Sequence, residues 1–186
     1  AGAGQTNQVT QAVAIGNQAG GSAQALQAVA IGQQAGQTTQ ETLAIAIGTY
    51  AGRTTQGTKA VAIGNLAGND TQGTKAVAIG DQAGKTDQSS SAVAVGEQAG
   101  LTTQSQHGIA IGAQAGQTTQ GTSSLAIGKQ AGKVNQGNEA VAIGNLAGVN
   151  NQAANSIVIS ASPTALENIV EDVFIVKPVR NGGAGA

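Results

Sequence analysis

Residues Gly80-Asp81-Gln82-Ala83-Gly84-Lys85-Thr86 end in Gly-Lys-Thr, the sequence with which a phosphate-binding loop closes around a nucleotide. Such a loop needs four residues between its glycines and a helix behind it, so that backbone N–H groups and a helix N-terminus converge on phosphate. Three residues separate Gly80 from Gly84 and no helical periodicity follows, so the spacing does not support nucleotide chemistry. The single histidine, His107, stands where Lys59, Lys75, Ser91 and Glu139 stand in equivalent stretches, and reads as a solvated turn residue instead of a general base. Glu41, Asp70, Asp81, Asp87, Glu97 and Glu139 are scattered. Asp81 and Glu97 align, but one such pair is too little for a calcium site or paired-carboxylate catalysis. Cysteine is absent, which removes thiolate metal sites and disulfides. The sequence therefore predicts no catalytic residue, no metal site and no cofactor, and the chain reads as a non-enzyme.

Threonine offers a different chemistry, because regular Thr arrays on a flat face can order water and bind ice. Thr38, Thr54, Thr86, Thr102 and Thr118 align, as do Thr39, Thr55, Thr71, Thr103 and Thr119. Neighbouring residues on a strand should point to opposite faces, and Asp70, Asp87, Val134 and Asn135 interrupt the columns. Ice or other surface binding through Thr arrays is kept as the alternative function.

What aligns these residues is a repeat. The pattern Ala-(Val/Ile/Leu)-Ala-(Ile/Val)-Gly closes at Gly16, Gly32, Gly48, Gly64, Gly80, Gly96, Gly112, Gly128 and Gly144, with sixteen residues between successive glycines and no insertion; Gly108 and Ser124 replace the opening Ala in two copies. A strict period of this size marks stacked supersecondary units, none of which buries a core alone. Ala-Gly follows each closing glycine, and Gln recurs in every copy from Gln8 through Gln88 to Gln152. Alternation before the glycine predicts a strand, Gly and small residues a turn, a stretch such as Gln37-Thr38-Thr39-Gln40 a second short strand, and Gly57-Thr58-Lys59 the return turn. Sixteen is not a multiple of six, which favours a flattened roll over a three-sided helix. The predicted fold is an all-β parallel β-roll, a β-solenoid of about ten coils over residues 1–160, about 50 Å tall at the parallel strand spacing. The stacked Gln amides are expected to donate to one another along the axis.

Alternation assigns two faces to each main strand. The branched residues are expected to form the core: Val13, Ile15, Val29, Ile31, Ile45, Ile47, Val61, Ile63, Val77, Ile79, Val93, Val95, Ile109, Ile111, Leu125, Ile127, Val141 and Ile143. The opposite face carries Ala14, Ala30, Ala46, Ala62, Ala78, Ala94, Ala110, Ala126 and Ala142. A solvent face would vary toward Thr, Lys and Glu, and this one does not. The Ala face is therefore expected to be the subunit interface of a homo-oligomer, three copies being the simplest closed arrangement.

Composition limits the partners. The net charge of -1 with dispersed Lys and Arg gives no footprint for nucleic acid, and no apolar run is long enough to insert into a membrane as a helix. Tyr50 and Phe174 are the only aromatics. Tyr50, Arg53, Lys59 and Lys75 are the candidate receptor contacts, an aromatic beside cations being a common binding element.

The stretch Ala-Val-Ala-Ile-Gly-Asn-Gln-Ala-Gly resembles the head repeats of trimeric autotransporter adhesins, over residues 1 to about 160. That resemblance implies a left-handed β-roll trimer with Val and Ile inside each roll and Ala toward the threefold axis; parallel crossovers are otherwise right-handed. The Asn-Ser pair that often opens the family motif occurs only as Asn155-Ser156. The Thr-Gln-rich coils, with the tail Val173-Phe174-Ile175-Val176-Lys177-Pro178-Val179-Arg180-Asn181, look more like fibre proteins of phages and large DNA viruses that precede an endosialidase-type chaperone domain. The implied role is a structural fibre or adhesin segment on a virion or cell exterior, a spacer and attachment surface, with itself and a host or cell-surface receptor as partners.

After Ser160, where the closing glycine is lost, residues 161–186 are expected to form a C-terminal cap and flexible tail. A brief helical turn through Ala165, Leu166 and Ile169 and a strand over 173–177 are expected there.

Overall fold

The computed structural model describes residues 2–178 of the chain. It is an all-β parallel solenoid, with no helix among the described residues. Each coil places its Val-Ala-Ile strand in one eleven-stranded sheet, which runs from Val13–Ile15 to Phe174–Lys177. Register is kept at sixteen residues, so that Val61 faces Val77, Ala62 faces Ala78 and Ile63 faces Ile79. The opposite face is narrower: Ala23–Gln24, Thr39–Gln40, Thr55–Gln56 and Thr71–Gln72 form a four-stranded sheet, and Thr118–Gln120 pairs with Val134–Gln136. Between them only single bridges join Gln72, Gln88, Gln104 and Gln120.

Two glycines per coil let the stack close. Gly64 has φ +130°, and a Cβ there would lie 2.5 Å from the carbonyl oxygen of Gly80 in the next coil. Gly68 has φ +51°, and a Cβ there would lie 2.8 Å from the side-chain oxygen of Gln72. The first glycine permits the coil spacing and the second makes room for the amide. Gly64→Ala is therefore expected to destabilise the protein by at least about 2 kcal/mol, whereas Gly2→Ala, where a Cβ would make only an ordinary 4.0 Å contact with the Gln5 side chain, should leave the denaturation midpoint unchanged.

The two faces of the main strand are the reverse of the sequence expectation. Ala30, Ala46, Ala62, Ala78, Ala94, Ala110, Ala126 and Ala142 are fully buried in the roll interior, with Ala14 packed against them. None of the expected core residues is buried. Val13, Ile15, Ile63, Ile79 and Ile111 are exposed, and Val29, Ile31, Ile45, Ile47, Val61, Val77, Val93, Val95, Ile109, Leu125, Ile127, Val141 and Ile143 are half-buried on the outer surface.

The glutamine column explains the inversion. Gln72 reaches from the narrow sheet across the interior, and its Nε2 donates to the carbonyl of Val61 on the main strand at 2.8 Å. A side chain that spans the cavity leaves room opposite it for little more than a methyl group; the inward column carries a larger residue at Val158, fully buried, in the coil where the shorter Asn168 stands in the Gln position. Val or Ile facing inward opposite a Gln would overpack the space. The core is thus built from Ala of the main strand, Ala of the following turn such as Ala67 and Ala83, and the Gln column itself.

After Ser160 the chain adds one more strand to the main sheet, with Ile157 opposite Phe174 at a spacing of seventeen. The expected helical turn is absent. Leu166 instead bridges Ala147, and its carbonyl accepts from the Gly148 N–H at 2.6 Å. Pro163 and the lost closing glycine remove the regular turn, and backbone pairing with the preceding coil takes its place. The flexible tail expected over 182–186 lies outside the described residues. No helix among the described residues is long and apolar enough to cross a membrane.

Candidate functional site

Each coil begins with a strand whose alternation sends its branched residues outward, and parallel pairing in register stacks them. The result is two adjoining outer columns. One runs Val13, Val29, Ile45, Val61 onward to Phe174, and the other runs Ile15, Ile31, Ile47, Ile63 onward to Val176. At about 4.8 Å per strand the stripe is about 48 Å long. With about 10 Å of width it presents roughly 500 Å². No charged residue falls in either column. A parallel sheet is ordinarily covered on both faces, and here one face is covered by the roll itself.

Behind the stripe lies a buried amide ladder. Gln40 donates to Gln56 at 3.1 Å, Gln56 to Gln72 at 3.2 Å, Gln72 to Gln88 at 3.2 Å and Gln88 to Gln104 at 3.0 Å, and the series continues to Gln152. Every amide points the same way along the axis. Each also donates to two backbone carbonyls, as Gln88 does to Val77 and Ala92. Gln8 is exposed and Gln24 donates only to the backbone, to Val13 and Ala28, so the amide-to-amide series starts at Gln40. The axial bonding matches the sequence expectation. The side chains are buried outright, and the bonds across the roll were not legible in the spacing.

The four candidate receptor contacts fall into two separate places. Tyr50 and Arg53 lie on the turn after the main strand, with the guanidinium 5.6 Å from the ring centroid, a cation–π contact. Lys59 and Lys75 occupy the return turn at the other end of the coil, each exposed with φ 60°. The structure does not bring the two pairs together. His107 shares the return-turn column, exposed and with φ 60°.

The apparent phosphate loop is a turn of the roll. The N–H groups of Gly80, Gln82, Ala83, Gly84 and Thr86 are all bonded to carbonyls, at Ile63, Asn65, Gly80, Ala99 and Leu101. Donors already committed to the coils cannot cradle a phosphate. Asp81 accepts from Asn65 at 2.8 Å, and no group of three or more metal-ligating side chains occurs among the described residues.

Neither Thr column is inside the roll: Thr38, Thr55, Thr71, Thr102, Thr103 and Thr119 are exposed, while Thr39, Thr54, Thr86 and Thr118 are half-buried. The buried residue of that strand is the Gln that follows. At Thr38, Thr54, Thr86 and Thr102 the first Thr precedes the strand or bridge and escapes strict alternation, while Thr118 opens the strand Thr118–Gln120. Asp87, Thr119 and Asn135 adopt left-handed φ of 51–52°, so the second column changes backbone conformation along the rod.

Sequence reasoning passed over one feature of this narrow face. An open cavity of about 460 Å³ lies between coils and is lined by Thr71, Gly73, Asp87, Ser89, Ser90 and Gln106, with Gln88 at its base. Its signal was present as a local change of repeat, Gly-Thr-Lys giving way to Ser-Ser-Ser and then Ser-Gln-His. Compared with protein-family models, curated proteins and solved structures, the chain gives no match.

Proposed function

We propose that this chain is a structural fibre or adhesin segment, a rod that assembles with copies of itself and serves as spacer and attachment surface on a virion or cell exterior. The outer Val/Ile stripe carries the reading. A charge-free apolar surface of roughly 500 Å² lies in the range of the largest patch on a monomer, a patch that is often functional, and its straight, repeating form fits a partner with the same repeat. Three rolls turned inward about a common axis close the stripe completely and leave no open edge of the assembly. In this reading the coils are left-handed, Val and Ile meet at the threefold axis, and the segment after Ser160 caps the roll. The Tyr50–Arg53 pair and Lys59 and Lys75 lie on the turns, outside the stripe, where a receptor could reach them.

Sedimentation equilibrium at low protein concentration tests the assembly. The expected result is a single species of three times the chain mass. A monodisperse monomer would remove the reading, because the stripe would then be stable in water.

A further inference from the structure

The cavity on the narrow face lies where the regular pairing of that face is interrupted. The four-stranded sheet ends at Thr71–Gln72, and the next coil enters with Asp87 in the left-handed region at φ 51°. Gly73 allows the backbone of Ser90 to approach from the next coil. Three other acids have partners, Asp70 accepting from Thr86, Asp81 from Asn65 and Glu167 from Asn150; the Asp87 carboxylate has none among the described residues and faces the cavity. The side chains of Thr71, Asp87, Ser89, Ser90 and Gln106 make no hydrogen bond to another described residue, although all five line one cavity. Its base is rigid, since Gln88 is locked in the buried ladder by three hydrogen bonds.

The lining has a definite chemical character. It contains one carboxylate, three hydroxyls and two primary amides, that of Gln88 being committed to the ladder, and neither a cation nor an aromatic or large apolar side chain. An anion would meet no positive partner and would be repelled by Asp87. An apolar peptide would find nothing to bury. A neutral polyhydroxylated ligand matches, because a carboxylate accepts two hydroxyl donors while an amide and hydroxyls both donate and accept. A volume of about 460 Å³ is within the range of small-molecule sites.

We infer that this cavity is a binding site for a neutral saccharide, with Asp87 and Gln106 as the principal hydrogen-bonding groups. The site lies on the sheet opposite the Val/Ile stripe and stays open whether or not the rods assemble, so it stands independently of the oligomeric state.

Saturation-transfer difference NMR on the full chain tests it, with lactose, maltose and chitobiose as neutral probes and N-acetylneuraminic acid as the anionic one. At least one neutral disaccharide is expected to receive saturation and the anionic sugar none. Asp87→Asn, a residue that tolerates the left-handed backbone, and Gln106→Ala are each expected to weaken binding about tenfold. Tyr50→Ala should leave binding unchanged. Absence of saturation for all three neutral probes overturns the inference, as does equal saturation in the Asp87→Asn and Gln106→Ala variants. Sedimentation of the same variants should match the parent protein, which separates loss of this site from failure of the assembly.

Discussion

Replacing Val77 and Ile79 together by lysine is expected to dissociate the assembly into single chains that keep their coils. Both side chains project from the outer face, Ile79 being 37% exposed, so the lysines reach water in the isolated roll and leave its interior untouched. In a closed assembly the same positions from three chains would bring six ammonium groups into an apolar seam, where each unpaired charge costs several kcal/mol. Sedimentation should show a fall to one chain mass while circular dichroism keeps its β signature. Ala78→Glu, one residue away, should do the opposite. Ala78 is fully buried beside the Gln column, so a carboxylate there has neither space nor a partner, and the roll itself is expected to unfold locally or globally. If Ala78→Glu separated intact rolls while Val77→Lys with Ile79→Lys changed nothing, the assignment of faces would be wrong.

Gln88→Leu should be among the most destabilising single substitutions in the chain. The substitution removes donors to Val77, Ala92 and Gln104 and the acceptor used by Gln72. Buried polar groups left unpaired cost about 1–3 kcal/mol each. The other bonds of their partners offset part of this, and a total loss of about 3 kcal/mol is expected. Gln8→Leu, in the same column but exposed, should change stability by no more than about 0.5 kcal/mol. Denaturant midpoints of the two variants, compared with the parent, measure the difference. Comparable midpoints would mean that the ladder contributes no more than a solvated amide.

The parts of the fold that depend on neighbours in sequence were legible. Alternation over Val61-Ala62-Ile63 marks a strand, Gly64 and Gly68 mark a turn, and repetition at sixteen residues stacks each Gln on the next. The roll, its coil count, its main strand and the axial amide bonding follow from these; the second strand forms in most coils but is reduced to single bridges at Gln88 and Gln104. Much of the surface chemistry was equally readable: the apparent phosphate loop and His107 fell to the repeat. The cavity beside Asp87 was not, because it arises where one coil leaves the conformation of the coil before it, and a column alignment shows only that the residues differ. The end of the roll was legible in part: the strand expected over 173–177 forms as Phe174–Lys177, whereas the expected helical turn does not. Ser160 and Pro163 abolish the regular turn, but Phe174–Lys177 still find the open edge of the sheet, a pairing of backbones that side-chain patterns do not report.

Period, strand, turn and stack belong to the sequence of this protein alone. Which face of the strand is the inside was decided only by tertiary structure. Ala and Val/Ile are both apolar, so alternation separates the faces without ranking them, and hydrophobicity by itself favours the larger residues within. The ranking comes from a contact eleven residues apart, where Gln72 spans the roll to the carbonyl of Val61. That span sets the width of the interior along the Gln column, and at that width Ala is the residue that fits opposite, Val158 being buried only where Asn168 replaces Gln.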